Sequence, residues 1–158
     1  MDLDFRYGCT PAWWQLWKGL YEAGADLVVT PYRGRPVESP WWRTAPNPTY
    51  REGESYAAVR GALARAKGDR YLRRAEDSPE DSRLDRLTRE TVRRVVTPRW
   101  KRHLERLVEA ERPDAVVVFT VPMAHLRGIP SHLRERFGIP VVFYDGDVPM
   151  SLPEFGGM

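Results

Sequence analysis

The stretch DAVVVFTV, residues 114–121, decides the fold that the sequence predicts. It is an unbroken apolar run rich in β-branched valine, and it directly follows Pro113, which ends the helical pattern before it. A strand without polar alternation is expected to be buried on both faces, as in a parallel sheet with helices on each side. The run therefore predicts an α/β protein built on a parallel sheet.

Similar runs predict the other strands of this sheet. Residues 26–30, DLVVT, form a short apolar run between turn residues, and residues 140–144, PVVFY, form another. A first strand is predicted before Arg6, although Met1-Asp2-Leu3-Asp4-Phe5 carries two acids where a central strand is usually apolar. Strands and helices then alternate along the chain, as in an open α/β sheet.

Two short helices are predicted between these strands. Thr10-Pro11 is an N-cap followed by proline at the first helical position, and Gly24 stands just past the expected end, which predicts a helix over residues 11–23. Residues 131–137, which Gly138 follows, predict a second helix.

The middle of the chain predicts a loop and then a long helical insertion. Residues 32–50 are rich in proline, asparagine and tryptophan with no periodicity, and long ordered loops often carry function. Residues 52–112 have a helical pattern, with a new helix or a kink at Thr97-Pro98. Arginines and acids interleave here, which indicates a solvated, internally paired face rather than a nucleic-acid footprint. His103 and His132 are also expected to be solvated.

Composition limits the classes of protein to which the chain can belong. It has 158 residues, of which 42% are hydrophobic and 30% charged, with a formal net charge of +3, so one globular domain is expected. The start lacks the basic and apolar segments of a signal peptide, and no stretch approaches the ~20 apolar residues that span a bilayer. The lone cysteine, Cys9, is compatible with a reducing compartment, so a cytoplasmic location is expected.

The polar residues that follow the predicted strands form the candidate site. In an open parallel sheet the ligand crevice lies beyond the carboxyl ends of the strands, so these residues should meet in space. They include glycine, which permits close backbone approach, and side chains that bind hydroxyls, phosphates or carboxylates. In chain order they are Arg6 and Gly8, then Tyr32 and Arg33, then His125, and finally Asp145 and Asp147.

Alternatives stay open for several of these residues. Asp145 and Asp147 flank a glycine, and Asp-Gly is equally a common turn pair; two nearby carboxylates are also compatible with a divalent cation. His125 lies in a loop, where a site role and a structural role are both open. The chain contains no dinucleotide fingerprint, P-loop, His-Glu-x-x-His or Cys-x-x-Cys motif, so a bound dinucleotide, an NTPase and a structural zinc lack support.

Both ends of the chain resemble a known family. Residues 116–158, VVVFTVPMAHLRGIPSHLRERFGIPVVFYDGDVPMSLPEFGGM, are similar to the amino-terminal domain of GT-B-fold glycosyltransferases, in a bacterial group similar to the CgeB-like and group 1-like enzymes. Residues 5–34, FRYGCTPAWWQLWKGLYEAGADLVVTPYRG, resemble the first β-α-β unit of that domain. The resemblance implies an open parallel Rossmann-like sheet flanked by helices, with a long helical insertion between the second and third strands.

The resemblance also implies a division of labour between domains. In such enzymes the first domain mainly receives the acceptor, the second mainly holds the nucleotide-sugar donor, and catalysis usually needs no metal or cofactor. Residues 1–158 would then be a single acceptor-side domain, a fragment without the donor domain, and inactive in isolation. His125 would be the catalytic base or oxyanion partner, and the substrate-binding residues would be Arg6, Gly8, Tyr32, Arg33, Asp145 and Asp147.

Other functions and partners stay open. The expected partners are a small-molecule or glycan acceptor and, through the missing domain, a nucleotide-sugar; peripheral contact with a membrane is a further alternative. A stand-alone Rossmann-like ligand-binding or regulatory domain without catalysis is the main rival function. An arginine-rich nucleic-acid binder is the third, although specific binding to nucleic acid is not expected because acids interleave with the arginines.

Overall fold

The computed structural model describes residues 12–67, 87, 90–119, 121 and 123–144. The structure contains both helices and strands, and both strand pairings, β1 with β2 and β3 with β4, are parallel. In chain order the elements are helix α1 (Ala12–Glu22), strands β1 (Val28–Val29) and β2 (Arg43–Thr44), helices α2 (Tyr50–Lys67) and α3 (Thr97–Glu111), strand β3 (Val116–Phe119), helix α4 (Ile129–Phe137) and strand β4 (Val141–Tyr144). The predicted mixture of helices and parallel strands is confirmed. Residues 68–86 of the predicted insertion lie outside the described residues.

Among the described helices, none combines the length and the apolar character needed to cross a membrane.

The predicted end of the first helix is confirmed. Gly24 has a φ of 93°, and its N–H donates to the Tyr21 carbonyl at 2.9 Å while the Ala25 N–H donates to the Leu20 carbonyl at 3.0 Å. These two hydrogen bonds are a Schellman motif, which needs a left-handed residue at the glycine position. Glycine adopts that conformation without steric strain, so the sequence signal has a direct structural cause.

Strand β2 lies where the sequence predicts only a loop. It pairs in parallel with β1, so the prediction of a loop over residues 32–50 is wrong at this point. A two-residue strand is too short to show alternation between apolar and polar positions. The Arg43 guanidinium in β2 also contacts Asp26 at 2.9 Å and Glu111 at 2.7 Å, which holds the start of β1 against the end of α3.

The predicted kink at Thr97-Pro98 is present as a widened helical turn. Val92–Val96 form a π-helical turn, closed by a hydrogen bond from the Thr97 N–H to the first carbonyl of the turn, and α3 follows directly. Proline has no N–H to donate, and its ring crowds the carbonyl four residues earlier, so the turn widens there. The Thr97 hydroxyl does not cap the helix; it donates to the His125 carbonyl at 2.8 Å.

Strands β3 and β4 carry the larger core on one face. They pair in register, with Val116 opposite Val141 and Phe119 opposite Tyr144. Side chains alternate across the pair, so every second residue points toward α3 and α4. The buried residues of this core are Trp100, Leu104, Val108, Leu126, Ile129 and Leu133.

The prediction that β3 is buried on both faces is wrong. Val117 is 44% exposed, and on β4 Val142 is 50% and Tyr144 51% exposed. Helices α3 and α4 cover one face, whereas on the other face Phe119 packs against Trp17 of α1 with ring centroids 5.5 Å apart. An apolar run therefore indicated the strand correctly, but it did not reveal how much of each face is covered.

A second apolar cluster joins α1 to the β1–β2 pair. Trp17, Trp42 and Phe119 are its buried members, and the Trp17 and Trp42 rings meet edge to face with centroids 5.3 Å apart. Leu27 and Val29 pack against the same cluster. Since Phe119 belongs to this cluster and the preceding residue of β3 packs on the larger core, α1 and α3 lie on opposite faces of β3.

Candidate functional site

Tyr32 and His125, both predicted as site residues, meet beyond the carboxyl ends of β1 and β3. The Tyr32 Oη and His125 Nδ1 atoms are 2.5 Å apart, and the two ring centroids are 5.8 Å apart. The two residues are separated by 93 positions in the sequence. The structure therefore brings together two of the side chains that follow different predicted strands.

Tyr32 is held in place by the loop that follows β1. Pro31 before it is fully buried, and the Tyr32 ring packs on Trp100 of α3 with centroids 5.4 Å apart. The Asn47 Nδ2 group donates to the Tyr32 carbonyl at 3.3 Å and to the Gly34 carbonyl at 3.1 Å. One asparagine side chain thus sets the backbone conformation that positions the phenol.

Thr49 connects this loop to α3. Its N–H and its hydroxyl both donate to Asn47 Oδ1, at 2.9 and 3.2 Å, and its hydroxyl accepts from Trp100 Nε1 at 3.1 Å. The sequence analysis did not predict that Asn47, Thr49 and Trp100 form this hydrogen-bonded group. The available signal was the tripeptide of residues 47–49, because an asparagine that starts a turn commonly bonds to the residue two positions on.

His125 is held by its backbone. It lies in a 3-10 turn, Met123–Leu126, and its carbonyl accepts the Thr97 hydroxyl at 2.8 Å. Leu126 is only 4% exposed, and Gly128, with a φ of 76°, leads into α4. The backbone on both sides of His125 is thus anchored while the imidazole reaches Tyr32.

Burial keeps both partners of this pair neutral. It raises the pKa of Tyr32 to about 12, although the positive charge of the nearby Arg33 guanidinium lowers this pKa to a smaller extent. Burial also lowers the pKa of His125. At neutral pH the contact therefore joins a phenol to a neutral imidazole. Within the described part of the chain, no hydrogen bond reaches the other ring nitrogen, Nε2.

A second histidine, His103 of α3, was predicted to be solvated, and that prediction is wrong. It is 9% exposed, and its ring meets Trp100 edge-on with centroids 5.6 Å apart. The Thr30 hydroxyl donates its only hydrogen to the Pro46 carbonyl, with the two oxygens 3.0 Å apart. In its contact with His103, also 3.0 Å long, the hydroxyl must therefore be the acceptor, and the Nε2–H group of His103 is the donor. Burial and then the charge of Arg106 lower the pKa of His103. His103 lies on the apolar face of α3, which charge counting along the sequence did not reveal.

His132 of α4 was also expected to be solvated, and its side chain is only 25% exposed. Its Nε2 atom lies 2.5 Å from Glu105 Oε1, and this hydrogen bond is the main cause that lowers the pKa of Glu105. Arg136 contacts Glu105 at 3.3 Å and Glu109 at 2.8 Å. The cluster joins the facing surfaces of α3 and α4.

Among the remaining predicted site residues, Arg33 is exposed beside Tyr32. The predictions for Arg6, Gly8, Asp145 and Asp147 lie outside the described residues. Within the described ranges, no group of three or more His, Cys, Asp or Glu side chains could hold a metal ion.

A cleft of about 700 Å³ lies between the β1–β2 pair and the β3–β4 pair. Its walls include residues 28–32 and residues 115–119, and its lining is mostly apolar. Tyr32 lines it on the carboxyl side of β1, whereas Asp26 and Arg43 line it on the amino side. His125 contacts Tyr32 but does not line the cleft, so the Tyr32–His125 pair lies at the polar edge of the cleft and not within it.

Comparisons with protein-family models, with curated proteins and with solved structures found no match to this chain.

Proposed function

We propose that this chain is the acceptor-side domain of a glycosyltransferase, which binds its acceptor beside Tyr32 and His125. The hydrogen bond between these residues carries the proposal, because it puts a neutral imidazole at the edge where open parallel sheets bind ligands. The similarity of residues 5–34 and 116–158 to GT-B-fold enzymes supports it. The proposal includes the finer fold, an open Rossmann-like sheet with a long helical insertion between the second and third strands.

His125 is the general base in this proposal. The acceptor hydroxyl attacks the anomeric carbon of the donor sugar, the new C–O bond forms as the C–O bond to the nucleotide phosphate breaks, and the hydroxyl proton passes to His125. The lowered pKa weakens the base but keeps it unprotonated at neutral pH. With Nδ1–H donating to the Tyr32 oxygen, Nε2 carries the lone pair that takes the proton. Tyr32 then orients the ring.

The other predicted residues complete the acceptor pocket in this proposal. Arg33, exposed beside Tyr32, contacts acceptor hydroxyl or acidic groups, and Arg6, Gly8, Asp145 and Asp147 supply the rest. The nucleotide-sugar is bound by a second domain. No metal or cofactor is assigned to the chain, and the chain alone binds an acceptor without transferring sugar to it.

A glycan array probed with the purified chain tests the acceptor site. We expect binding to at least one glycan, and we expect His125→Gln to weaken that binding about tenfold, the effect of one lost hydrogen bond. His132→Gln, the same change at a histidine that pairs with Glu105 instead, is the matched control and should retain binding. No bound glycan, or equal loss in both variants, would contradict the proposal.

Sugar transfer tests the division between domains. With UDP-glucose and GDP-mannose as donor probes and the bound glycan as acceptor, the purified chain should give no transfer product. Robust turnover would refute the assignment of the donor site to a second domain. Binding of a ligand other than a glycan, weakened by His125→Gln but not by His132→Gln, would instead favour the stand-alone ligand-binding domain.

A further inference from the structure

The Thr30 hydroxyl joins three parts of the fold. Thr30 lies directly after β1, and its hydroxyl donates at 3.0 Å to the carbonyl of Pro46 in the loop after β2. The same hydroxyl accepts from the Nε2–H group of His103 in α3, also at 3.0 Å. The carboxyl end of β1 is therefore attached to α3 through one imidazole.

The two residues after Thr30 extend this attachment to the candidate site. Pro31 is fully buried, and the Tyr32 phenol reaches His125, with Oη and Nδ1 2.5 Å apart. Residues 30–32 all line the cleft between the two strand pairs. Because the peptide units are planar and the proline ring fixes φ, a movement of Thr30 away from α3 is transmitted to the phenol.

His103 is enclosed by groups that cannot stabilise a positive charge. Its side chain is 9% exposed, and its ring meets Trp100 edge-on with centroids 5.6 Å apart. On α3 the charge that acts on the ring is that of Arg106, which is also positive, and no carboxylate of the described residues raises the pKa of the ring. The titratable groups of the adjacent segments, Tyr32 and His125, are neutral. An imidazolium at this position would therefore lack both water and a counter-charge.

We propose that His103 is a pH-sensitive latch, which holds residues 30–32 against α3 when its ring is neutral and releases them when its ring is protonated. A protonated ring moves into solvent, because water hydrates the charge and the pocket does not, and Thr30 then loses its donor. Residues 30–32 separate from α3, Tyr32 leaves His125, and the carboxyl end of the cleft widens. Acid thus opens the candidate site while the protein stays folded. The inference goes beyond the glycosyltransferase proposal and does not depend on it, since it concerns access to the site and not the chemistry there.

Thiol labelling of a buried position in the segment tests the latch. In a Cys9→Ser background, Pro31→Cys places a thiol at a fully buried position, and a dithiodipyridine reagent, which reacts at acidic as well as neutral pH, measures how often that position opens. The comparison protein adds His103→Gln, whose amide keeps an N–H donor for Thr30 but does not titrate. Both proteins are labelled at the same pH, so the pH dependence of the thiol itself cancels.

Between pH 7.5 and pH 5, we expect the labelling rate with His103 to rise by up to about 30-fold more than the rate with His103→Gln. The limit follows because a released ring with the ordinary pKa of 6.5 is protonated about 30 times more often than not at pH 5. His132→Gln, at a histidine that pairs with Glu105, is the matched control and should keep the full acid response.

Urea separates local release from unfolding of the whole protein. Local release exposes little surface, so labelling of Pro31→Cys at pH 5 should change little up to about 1 M urea. Leu133→Cys, at a fully buried position of α4, should be labelled only through unfolding, at a rate that rises steeply with urea.

NMR gives a second measurement without cysteine substitutions. The NOE between the ring protons of Tyr32 and His125 should weaken at pH 5 in the wild-type chain and persist in His103→Gln. Equal acid acceleration with His103 and with His103→Gln, no acceleration with either, the same urea dependence at Pro31→Cys and Leu133→Cys, or an NOE that does not change with pH would overturn the inference.

Discussion

Replacing Thr49 by valine should destabilise the protein by about 2 kcal/mol, although the side-chain shape is nearly conserved. Thr49 is 6% and Trp100 is 3% exposed, and the Trp100 Nε1–H donates to the Thr49 hydroxyl at 3.1 Å. Valine leaves this buried N–H without an acceptor, which costs about 1–3 kcal/mol. The bond to Asn47 adds little, because the Thr49 N–H still donates to the same Asn47 oxygen at 2.9 Å.

Urea unfolding followed by tryptophan fluorescence measures this loss. A change of about 2 kcal/mol should lower the midpoint by about 1 M urea at an unchanged slope. Thr91→Val is the matched control, since the exposed Thr91 hydroxyl donates only to the Leu87 carbonyl of its own helix, and its cost should stay within about 0.5 kcal/mol.

A double-mutant cycle identifies the cause. Trp100→Phe removes the donor, so Thr49→Val in that background should cost at least about 1 kcal/mol less than in the wild type. Equal costs for Thr49→Val and Thr91→Val, or an undiminished cost in the Trp100→Phe background, would refute the role of the buried N–H.

Three further predictions concern pH, core packing and nucleic acid. Burial lowers the pKa of both His103 and His125 below the ordinary value of 6.5, so the folded state binds fewer protons than the unfolded state. The free energy of unfolding should therefore be highest above pH 6.5 and fall as the pH drops below it. Urea unfolding midpoints at pH 5 and pH 8 measure this change. A flat profile across this range would contradict burial of the two rings. Leu133→Ala, at a fully buried position, should cost about 2–5 kcal/mol in the same assay, and a cost comparable to that of an exposed leucine would contradict the core assignment. The protein should bind duplex DNA weakly and without sequence preference at physiological salt, because arginines are paired with acids, as Arg99 is with Glu52. Sub-micromolar, sequence-selective binding measured by fluorescence anisotropy would contradict this prediction.

Local signals in the sequence predicted several elements well. Gly24 and Gly138 both mark helix ends, and both have the positive φ that such ends require. The apolar runs near residues 114–121 and 140–144 became the strands β3 and β4. Pro98 correctly indicated an irregular helix, because the absence of its N–H affects the helical turn directly before it, Val92–Val96. Each of these features depends on neighbours a few residues away, and a sequence displays such neighbours directly.

Predictions that depended on packing were less successful. The exposed fraction of Val117 depends on which helix covers its face. The hydrogen-bond partner of the buried His103 ring is Thr30, 73 positions earlier. Strand β2 forms because β1 offers it an edge, not because two residues have a pattern of their own. None of these partners is close in sequence, so residue type and spacing could not identify them.

For the candidate site, the sequence by itself determined that Tyr32 and His125 each follow a strand, and the general geometry of parallel sheets then predicted that they would converge. Only the tertiary structure decided that the phenol and the imidazole meet at 2.5 Å and that both are neutral, because desolvation depends on the three-dimensional surroundings of each ring. It also decided that Asn47, Thr49 and Trp100 hold the tyrosine in place. Hydrogen bonds between residues far apart in sequence form only after the helices and strands pack, and that packing is the information a linear pattern does not contain.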